Sequence, residues 1–227
     1  MINTKEYDHT LSSLLEEGKV DGWSIIKNIA RPGEEAICWF EGEGTYRDKY
    51  ADPYPRVVLA SEDTIWMMDT PFEQQTAAPA VRGAKGKCLV VGLGIGMVPV
   101  FFARKPNVEK VRVLELSPEV IRLVGAQLLS PRNILANPWL GKIEISRGDF
   151  WEYSASARDR FDTVQVDIWP TALTAITNCN KAIDVAKRLL SRDGRVYCWM
   201  AEHRQLIKEA PPQPRVPREK IVEEEVE

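Results

Sequence analysis

The sequence has little histidine and keeps its cysteines apart. It contains 2 histidines and 4 cysteines in 227 residues, and no two cysteines have CxxC spacing. Zinc ribbons and disulfide frameworks need paired cysteines, so we expect neither a metal site nor a disulfide, and a reducing compartment such as the cytoplasm. His9 and His203 belong to no motif and are expected to be ordinary surface residues.

The chain also lacks an excess of basic residues and any long apolar run. Lys and Arg number 30 against 33 Asp and Glu, which gives a formal net charge of −3. Because phosphate binding favours clustered cations, no nucleic-acid partner is expected. No apolar stretch approaches the roughly 20 residues that span a bilayer, and the first residues lack the apolar segment of a signal peptide. We therefore expect no membrane association.

The pattern of predicted secondary structure changes near residue 80. Before it, a short helix expected over residues 5–18 is followed by strand-like runs punctuated by Gly, Pro and Asp, which is typical of antiparallel hairpins. After it, apolar strands alternate with helices. We predict a helix plus β-hairpin domain over 1–80, a Rossmann-like domain over 81–209, and a Pro-rich, acidic tail over 210–227 that is disordered or arm-like.

The alternation in the second part predicts an α/β fold with a doubly wound, mainly parallel sheet. Its first strand ends in "VVGLGIG", with Gly92, Gly94 and Gly96 before the first helix. A glycine-rich turn at a helix N-terminus lets a ligand approach the backbone. The pattern is GxGxG, because Met97 stands where a dinucleotide-binding GxGxxG motif has its third glycine. A packing role for the glycines is the alternative.

Carboxylates follow the next three predicted strands. Glu115 ends the second strand, Asp149 follows the third in "RGDF", and Asp167 follows the fourth in "DIWP". Glu115 is placed to accept hydrogen bonds from ribose hydroxyls, and Asp149 from an adenine amino group. The alternatives are a solvated strand end for Glu115 and a turn residue for Asp149.

Four successive motifs resemble those of the class I S-adenosylmethionine-dependent methyltransferase superfamily: "VVGLGIG", "VLELSPEVIRLV", "ISRGDFWEY" and "FDTVQVDIWP". The chain is most similar to the spermidine synthase branch, which also has a small N-terminal β-domain and an acidic element before the glycines, here "TIWMMDTPFEQQ". "GLGIG" and "DIWP" also resemble a group of uncharacterised, often phage-associated proteins, for which the cytoplasm would be that of the host.

The resemblance implies S-adenosyl-L-methionine as the cofactor and assigns residues to its parts. The residues that would face the methionine part are Gly92, Leu93, Gly94 and Gly96. The residues that would face the adenosine part are Glu115 at the ribose and Leu116, Asp149 and Phe150 at the adenine.

Asp167 is the candidate catalytic and acceptor-binding residue. In spermidine synthases an Asp at this position helps to hold and deprotonate the attacking amine; the alternative is that Asp167 only caps the following helix or bonds the loop backbone. Trp169 is either an apolar wall against the sulfonium or part of the core. Glu73, with Asp69, either closes the pocket or is a solvated turn residue. The tryptophans of the hairpins are expected in the core: Trp23, Trp39 and Trp66.

Three departures from the spermidine synthase pattern bear on activity. Leu93 and Ile95 stand where that branch has an acidic residue, and Pro170 stands in place of a second Asp. Only 27 residues follow Met200, so we expect the sheet to stop at five parallel strands in the order 3-2-1-4-5, without the final antiparallel hairpin. An exposed edge strand is a liability, and we expect the tail or a second copy of the chain to cover it.

These observations favour a methyltransferase that uses S-adenosylmethionine on a small-molecule or protein acceptor. Two alternatives stay open. One is an aminopropyltransferase like spermidine synthase, which the lost carboxylates disfavour. The other is a non-catalytic binding or assembly module that kept the fold, which the retained Glu115, Asp149 and Asp167 disfavour.

Overall fold

The first part of the chain forms two antiparallel sheets. The computed structural model describes residues 1–40, 44–62, 64–156 and 158–201. A 3-10 turn, Thr4–Glu6, and helix α1, Thr10–Leu14, come first. The strands that follow are β1 (Gly18–Val20), β2 (Trp23–Ala30), β3 (Glu35–Phe40), β4 (Gly44–Lys49), β5 (Tyr54–Ser61) and β6 (Thr64–Met68). One sheet has the order β1-β2-β5-β6, and β3 pairs with β4 in a separate hairpin.

The single helix expected over residues 5–18 is instead two short pieces. Asp8 separates them because its Oδ1 accepts a hydrogen bond from the backbone N–H of Thr10 (2.7 Å), an Asx-turn that starts α1. The backbone is extended at Leu15, and Gly18 begins β1 rather than ending a helix.

The second part alternates strands and helices, as predicted. Helix α2 (Pro71–Gly83) leads into it, with the hydroxyl of Thr70 accepting a hydrogen bond from the backbone N–H of Glu73. The elements that follow are β7 (Gly86–Val91), α3 (Met97–Ala103), β8 (Val108–Glu115), α4 (Pro118–Val120), a π-helical turn (Ile121–Gly125), α5 (Ala126–Leu128), α6 (Pro131–Ala136), a 3-10 turn (Pro138–Lys142), β9 (Ile143–Arg147), α7 (Phe150–Ser156), β10 (Phe161–Val166), α8 (Ala172–Ala186), a 3-10 turn (Lys187–Leu189) and β11 (Leu190–Cys198).

All five strands of the second sheet are parallel, in the order β9-β8-β7-β10-β11. Counted from β7 this is 3-2-1-4-5, so the predicted doubly wound, Rossmann-like sheet is confirmed. The order reverses between β7 and β10, which places a ligand crevice beyond the carboxyl ends of these strands. β11 is an edge of the described sheet. The tail predicted to cover this edge falls in residues 202–227, outside the described residues.

Hydrophobic residues pack on both faces of the parallel sheet. One core joins β7, β8 and α3 to the antiparallel sheet, with members such as Val90, Phe102, Val113, Ile25 and Leu59. The other core packs β7 and β10 against α8. The boundary expected at residue 80 lies inside α2, and the first core takes residues from both sides of it. The division into 1–80, 81–209 and 210–227 stays a prediction. Among the described helices, none is both long and apolar enough to cross a membrane.

A polar cluster ties the N-terminal segment to α2. The side-chain amide of Gln74 accepts a hydrogen bond from the backbone N–H of Asp8 (2.9 Å) and donates one to the Asp8 carbonyl (2.7 Å). Its Nε2 also lies 2.8 Å from Oδ1 of Asp69 and 3.2 Å from the hydroxyl of Tyr54. The ring of His9 packs edge-on against Tyr54 with 5.0 Å between ring centres, so His9 is not the plain surface residue expected. His203 lies outside the described residues.

Candidate functional site

A cavity of about 540 Å³ opens at the point where the strand order reverses, with walls from both the parallel and the antiparallel sheet. Its lining contains every site candidate named from the sequence except Gly96 and Asp69. These lining candidates are Glu73, Gly92, Leu93, Gly94, Glu115, Leu116, Asp149, Phe150, Asp167 and Trp169. The topology thus brings together residues that lie up to 96 positions apart in the sequence.

The glycines of the motif have structural reasons of their own. Gly92 and Gly94 have φ of +93° and +51°, in the left-handed region that favours glycine. A Cβ on Gly92 would overlap the carbonyl oxygen of Asp167, and a Cβ on Gly94 would overlap the sulfur of Met67. The packing alternative therefore explains both glycines without a ligand, although both line the cavity.

Gly96 lies apart from the cavity. It caps the N-terminus of α3 with a φ of +79°, and a Cβ there would overlap the side chain of Leu128. Gly96 is thus required by the contact between the glycine turn and α5, and it does not line the cavity.

Glu115 ends β8 and joins two loops through its carboxylate. Oε2 accepts a hydrogen bond from the backbone N–H of Leu93 (2.7 Å), and Oε1 accepts one from the backbone N–H of Ser117 (2.8 Å). Each carboxylate oxygen has two lone pairs, so Glu115 keeps acceptor capacity for ligand hydroxyls. It is half-buried in the cavity wall, and so it is not the solvated strand end that was its alternative.

Asp149 caps a helix with one carboxylate oxygen and keeps the other one free of hydrogen bonds to described residues. Its Oδ1 accepts a hydrogen bond from the backbone N–H of Trp151 (2.6 Å), which caps α7. Its other oxygen makes no hydrogen bond within the described part of the chain, and the residue lines the cavity beside the buried Phe150. Leu116, which is 62% exposed, lies at the mouth.

Asp167 and Glu73 form a pair of carboxyl groups in the same cavity. Burial raises the pKa of Asp167 to about 7. Burial, and then the nearby carboxyl of Asp167, raise the pKa of Glu73 to about 8. Neither side chain makes a hydrogen bond or an ion pair with another described residue. Because both groups titrate near neutral pH in the same cavity, they behave as a coupled pair. Thr171, and not Asp167, caps α8, and Glu73 is partly buried in the cavity wall and is not a solvated turn residue.

Four tryptophans besides Trp169 line the cavity, although they were not predicted from the sequence to belong to the site. The chain has 7 tryptophans, and five line the cavity: Trp23, Trp66, Trp151, Trp169 and Trp199. Trp23 and Trp66 were expected in the core, but they form a tilted pair with 5.4 Å between ring centres at the cavity wall. Trp169, only 9% exposed, belongs both to the second core and to the lining. The side chain of Trp39 lies outside the described residues.

The ionisable side chains described in the cavity lining are all acidic. Four carboxyl groups line it, those of Glu73, Glu115, Asp149 and Asp167, and no Lys, Arg or His of the described residues does. The described residues also contain no cluster of three or more His, Cys, Asp or Glu side chains that would hold a metal ion. The arrangement favours a ligand that carries positive charge and several hydrogen-bond donors.

Comparison with known proteins finds similarity only to solved structures. No protein-family model matches the chain, and no curated protein matches it. Similar solved structures include the spermidine synthase of Thermotoga maritima, with 17% identity and a TM-score of 0.45, and a spermidine synthase in complex with the transition state analogue AdoDATO, with 16% identity and a TM-score of 0.46. Each match covers 74% of this chain and 63% of the other, so the chain spans less than two thirds of these synthases.

Protein arginine methyltransferase 10 of Arabidopsis thaliana is also similar, with 18% identity, a TM-score of 0.41, and coverage of 56% of this chain and 34% of that one. The structural neighbours are thus spermidine synthases and methyltransferases, the groups that the motifs resemble. Similarity at this level concerns the course of the chain and assigns no activity.

Proposed function

We propose that the protein is an S-adenosylmethionine-dependent methyltransferase acting on a small-molecule or protein acceptor. The observation that carries the proposal is the convergence of Glu115, Asp149 and Asp167, which follow three different strands, on one cavity at the reversal of the strand order. Ligands of open α/β sheets bind at this point of the fold.

The chemistry of the lining fits S-adenosylmethionine. Glu115 has free lone pairs at the place expected for a ribose diol, and the unpaired oxygen of Asp149 is available to an adenine amino group. Leu116 and Phe150 supply apolar surface on that side of the cavity. The acidic lining as a whole suits a ligand that carries a sulfonium group.

Asp167 has the properties of a residue that orients the acceptor and takes its proton. When bound, S-adenosylmethionine would supply an electrophilic methyl group for transfer to an acceptor lone pair, with its sulfur as the leaving group. The carboxylate of Asp167 would hold the acceptor's N–H or O–H and accept the proton that it loses. Burial raises the pKa of Asp167 to about 7, which suits a base that works near neutral pH.

A second candidate, aminopropyl transfer from decarboxylated S-adenosylmethionine, gains support from one observation. Glu73 supplies a second carboxyl group beside Asp167, which compensates for Pro170 at the position of the second Asp in spermidine synthases. The described lining also has no cationic side chain for the carboxylate that distinguishes the two donors.

Calorimetric titration with S-adenosylmethionine, its demethylated product and the decarboxylated form tests both candidates. We expect the first two to bind with micromolar dissociation constants and the decarboxylated form to bind no more tightly. A clear preference for the decarboxylated form would favour aminopropyl transfer. Absence of binding by all three would reject both candidates and favour the non-catalytic module.

A further inference from the structure

Two carboxyl groups face the cavity without a partner. Glu73 comes from the first turn of α2, and Asp167 comes from the loop after β10. Neither side chain is hydrogen-bonded or ion-paired to another described residue, although both are partly buried in the cavity wall. A charge removed from water without a partner is costly, so a cation bound between these groups would recover much of that cost.

Two tryptophans line the same cavity, on segments close to those that carry the two carboxyl groups. Trp169 follows Asp167 by two residues and lines the same cavity. Trp199 donates a hydrogen bond from its indole N–H to the hydroxyl of Thr76 (3.1 Å), one turn of α2 beyond Glu73. Indole faces attract organic cations, and they do so best where water is excluded. Carboxylates flanked by indoles suit an ammonium group that carries carbon substituents.

The walls contributed by the antiparallel sheet are apolar. Trp23 and Trp66 form their tilted pair there, next to Leu59 and Met67. This part of the lining has no carboxyl group that would receive a second ammonium group. A polyamine would have to bury its further charges against apolar side chains, at a high cost in free energy, whereas an apolar or aromatic body would gain by burial.

We propose that the cavity binds a monoamine with an apolar, preferably aromatic, body, its ammonium group between Glu73 and Asp167 and its body against Trp23 and Trp66. The statement that this amine is the methyl acceptor rests on the proposed function. The statement that the cavity binds an organic cation rests only on the residues that line the cavity.

Three probes of matched shape or charge test this specificity. 2-Phenylethylamine, 2-phenylethanol and spermidine are titrated calorimetrically into the protein, alone and with S-adenosylhomocysteine. We expect 2-phenylethylamine to bind at least about tenfold more tightly than 2-phenylethanol, because the alcohol lacks the charge-assisted hydrogen bonds, and more tightly than spermidine.

Two pairs of variants assign the effect to the two ends of the ligand. Glu73→Gln should remove most of the preference for the amine over the alcohol, whereas Glu109→Gln, an exposed carboxylate outside the cavity, should not. Trp66→Ala should weaken 2-phenylethylamine by about tenfold or less and leave spermidine unchanged. Ile65→Ala is its control, since Ile65 is an exposed neighbour on β6 that does not line the cavity.

The outcomes separate this inference from the proposed function. Binding of S-adenosylhomocysteine together with equal binding of the amine and the alcohol, or with preference for spermidine, would overturn the inference and leave the proposed function standing. Selective binding of 2-phenylethylamine, lost in Glu73→Gln, without binding of S-adenosylhomocysteine would support the cation site and reject the proposed function. Failure of all three probes to bind would also overturn the inference.

Discussion

Single residues carry the unusual protonation chemistry of this protein. Asp69 is fully buried, its Oδ1 accepts a hydrogen bond from Gln74, and its Oδ2 has no partner among the described residues. Burial raises the pKa of Asp69 to about 7 from an ordinary value of 3.8. The folded state therefore holds this proton more tightly than the unfolded chain, and stability contributed at low pH is lost as the pH rises from about 4 to about 7.

Asp69→Asn should remove this pH dependence, because the amide has a similar shape and no charge. Between pH 5 and pH 8, the free energy of unfolding of the wild type should fall by about 2 kcal/mol more than that of the variant. Urea denaturation at the two pH values measures it. Parallel pH profiles for the two proteins would mean that Asp69 is ionised in the folded state at pH 5.

Asp167→Asn tests the proposed base. Binding of S-adenosylhomocysteine should persist, while turnover with an accepted amine should fall by about 100-fold or more. The wild-type rate should rise with pH through about 7, as Asp167 loses its proton, and this limb should disappear in the variant. Asp193→Asn, an exposed carboxylate away from the cavity, is the control. Equal turnover in both variants would leave Asp167 a structural residue.

At the scale of elements, α2 connects the N-terminal segment to the cavity. Its first turn carries Glu73 into the cavity, and the next residue, Gln74, holds the backbone of Asp8 through two hydrogen bonds. Gln74 thus attaches α2 to the N-terminal segment, and the preceding residue, Glu73, is the candidate ligand-binding group.

Gln74→Ala should release the N-terminal segment. Loss of both bonds to Asp8 and of the bond to Asp69 should cost about 1–3 kcal/mol, and amide hydrogen exchange should speed up in residues 2–15 before it does elsewhere. Exchange that is unchanged in this segment, or raised evenly over the whole chain, would show that the amide does not tie the segment to α2.

The element scale also shows what sequence alone supports. The ends of buried parallel strands can be predicted from the sequence, because such strands are continuous apolar runs. The sequence pattern is therefore enough to place Glu115, Asp149 and Asp167 on one edge of the sheet. The proximity of Glu73 to Asp167 cannot be predicted from the sequence, since it depends on how α2 packs against the sheet. The role expected for Gly96 stays a prediction, and its contact with Leu128 could not be foreseen because a motif does not reveal which of its glycines packs against a helix.

At the scale of the whole molecule, the parallel sheet and the four-stranded antiparallel sheet contribute to one core and to one cavity. The antiparallel sheet contributes Trp23 and Trp66 to the lining, and its Met67 touches the glycine turn at Gly94. Sequence patterns predict both sheets but not this contact. Trp23 and Trp66 were therefore assigned to a local core, although they line the cavity.

A double-mutant cycle of Gly94→Ala and Met67→Ala tests the contact between the sheets. Gly94→Ala alone should destabilise the protein by about 1–3 kcal/mol, because of the positive φ and the overlap with the Met67 sulfur. With Met67→Ala present, the additional cost of Gly94→Ala should be smaller, since only the backbone strain remains. Additive costs would show that Met67 does not press on the glycine turn.

The central claim is that this cavity binds an S-adenosyl nucleoside through the strand-end carboxylates. The measurement that tests it most directly is calorimetric titration of S-adenosylhomocysteine into the wild type, Glu115→Gln and the surface control Glu109→Gln. We predict micromolar binding by the wild type and the control, and binding weakened about tenfold or more in Glu115→Gln, which loses the charge that accepts the ribose hydroxyls. Equal affinity in all three proteins, or no binding by the wild type, would contradict the account.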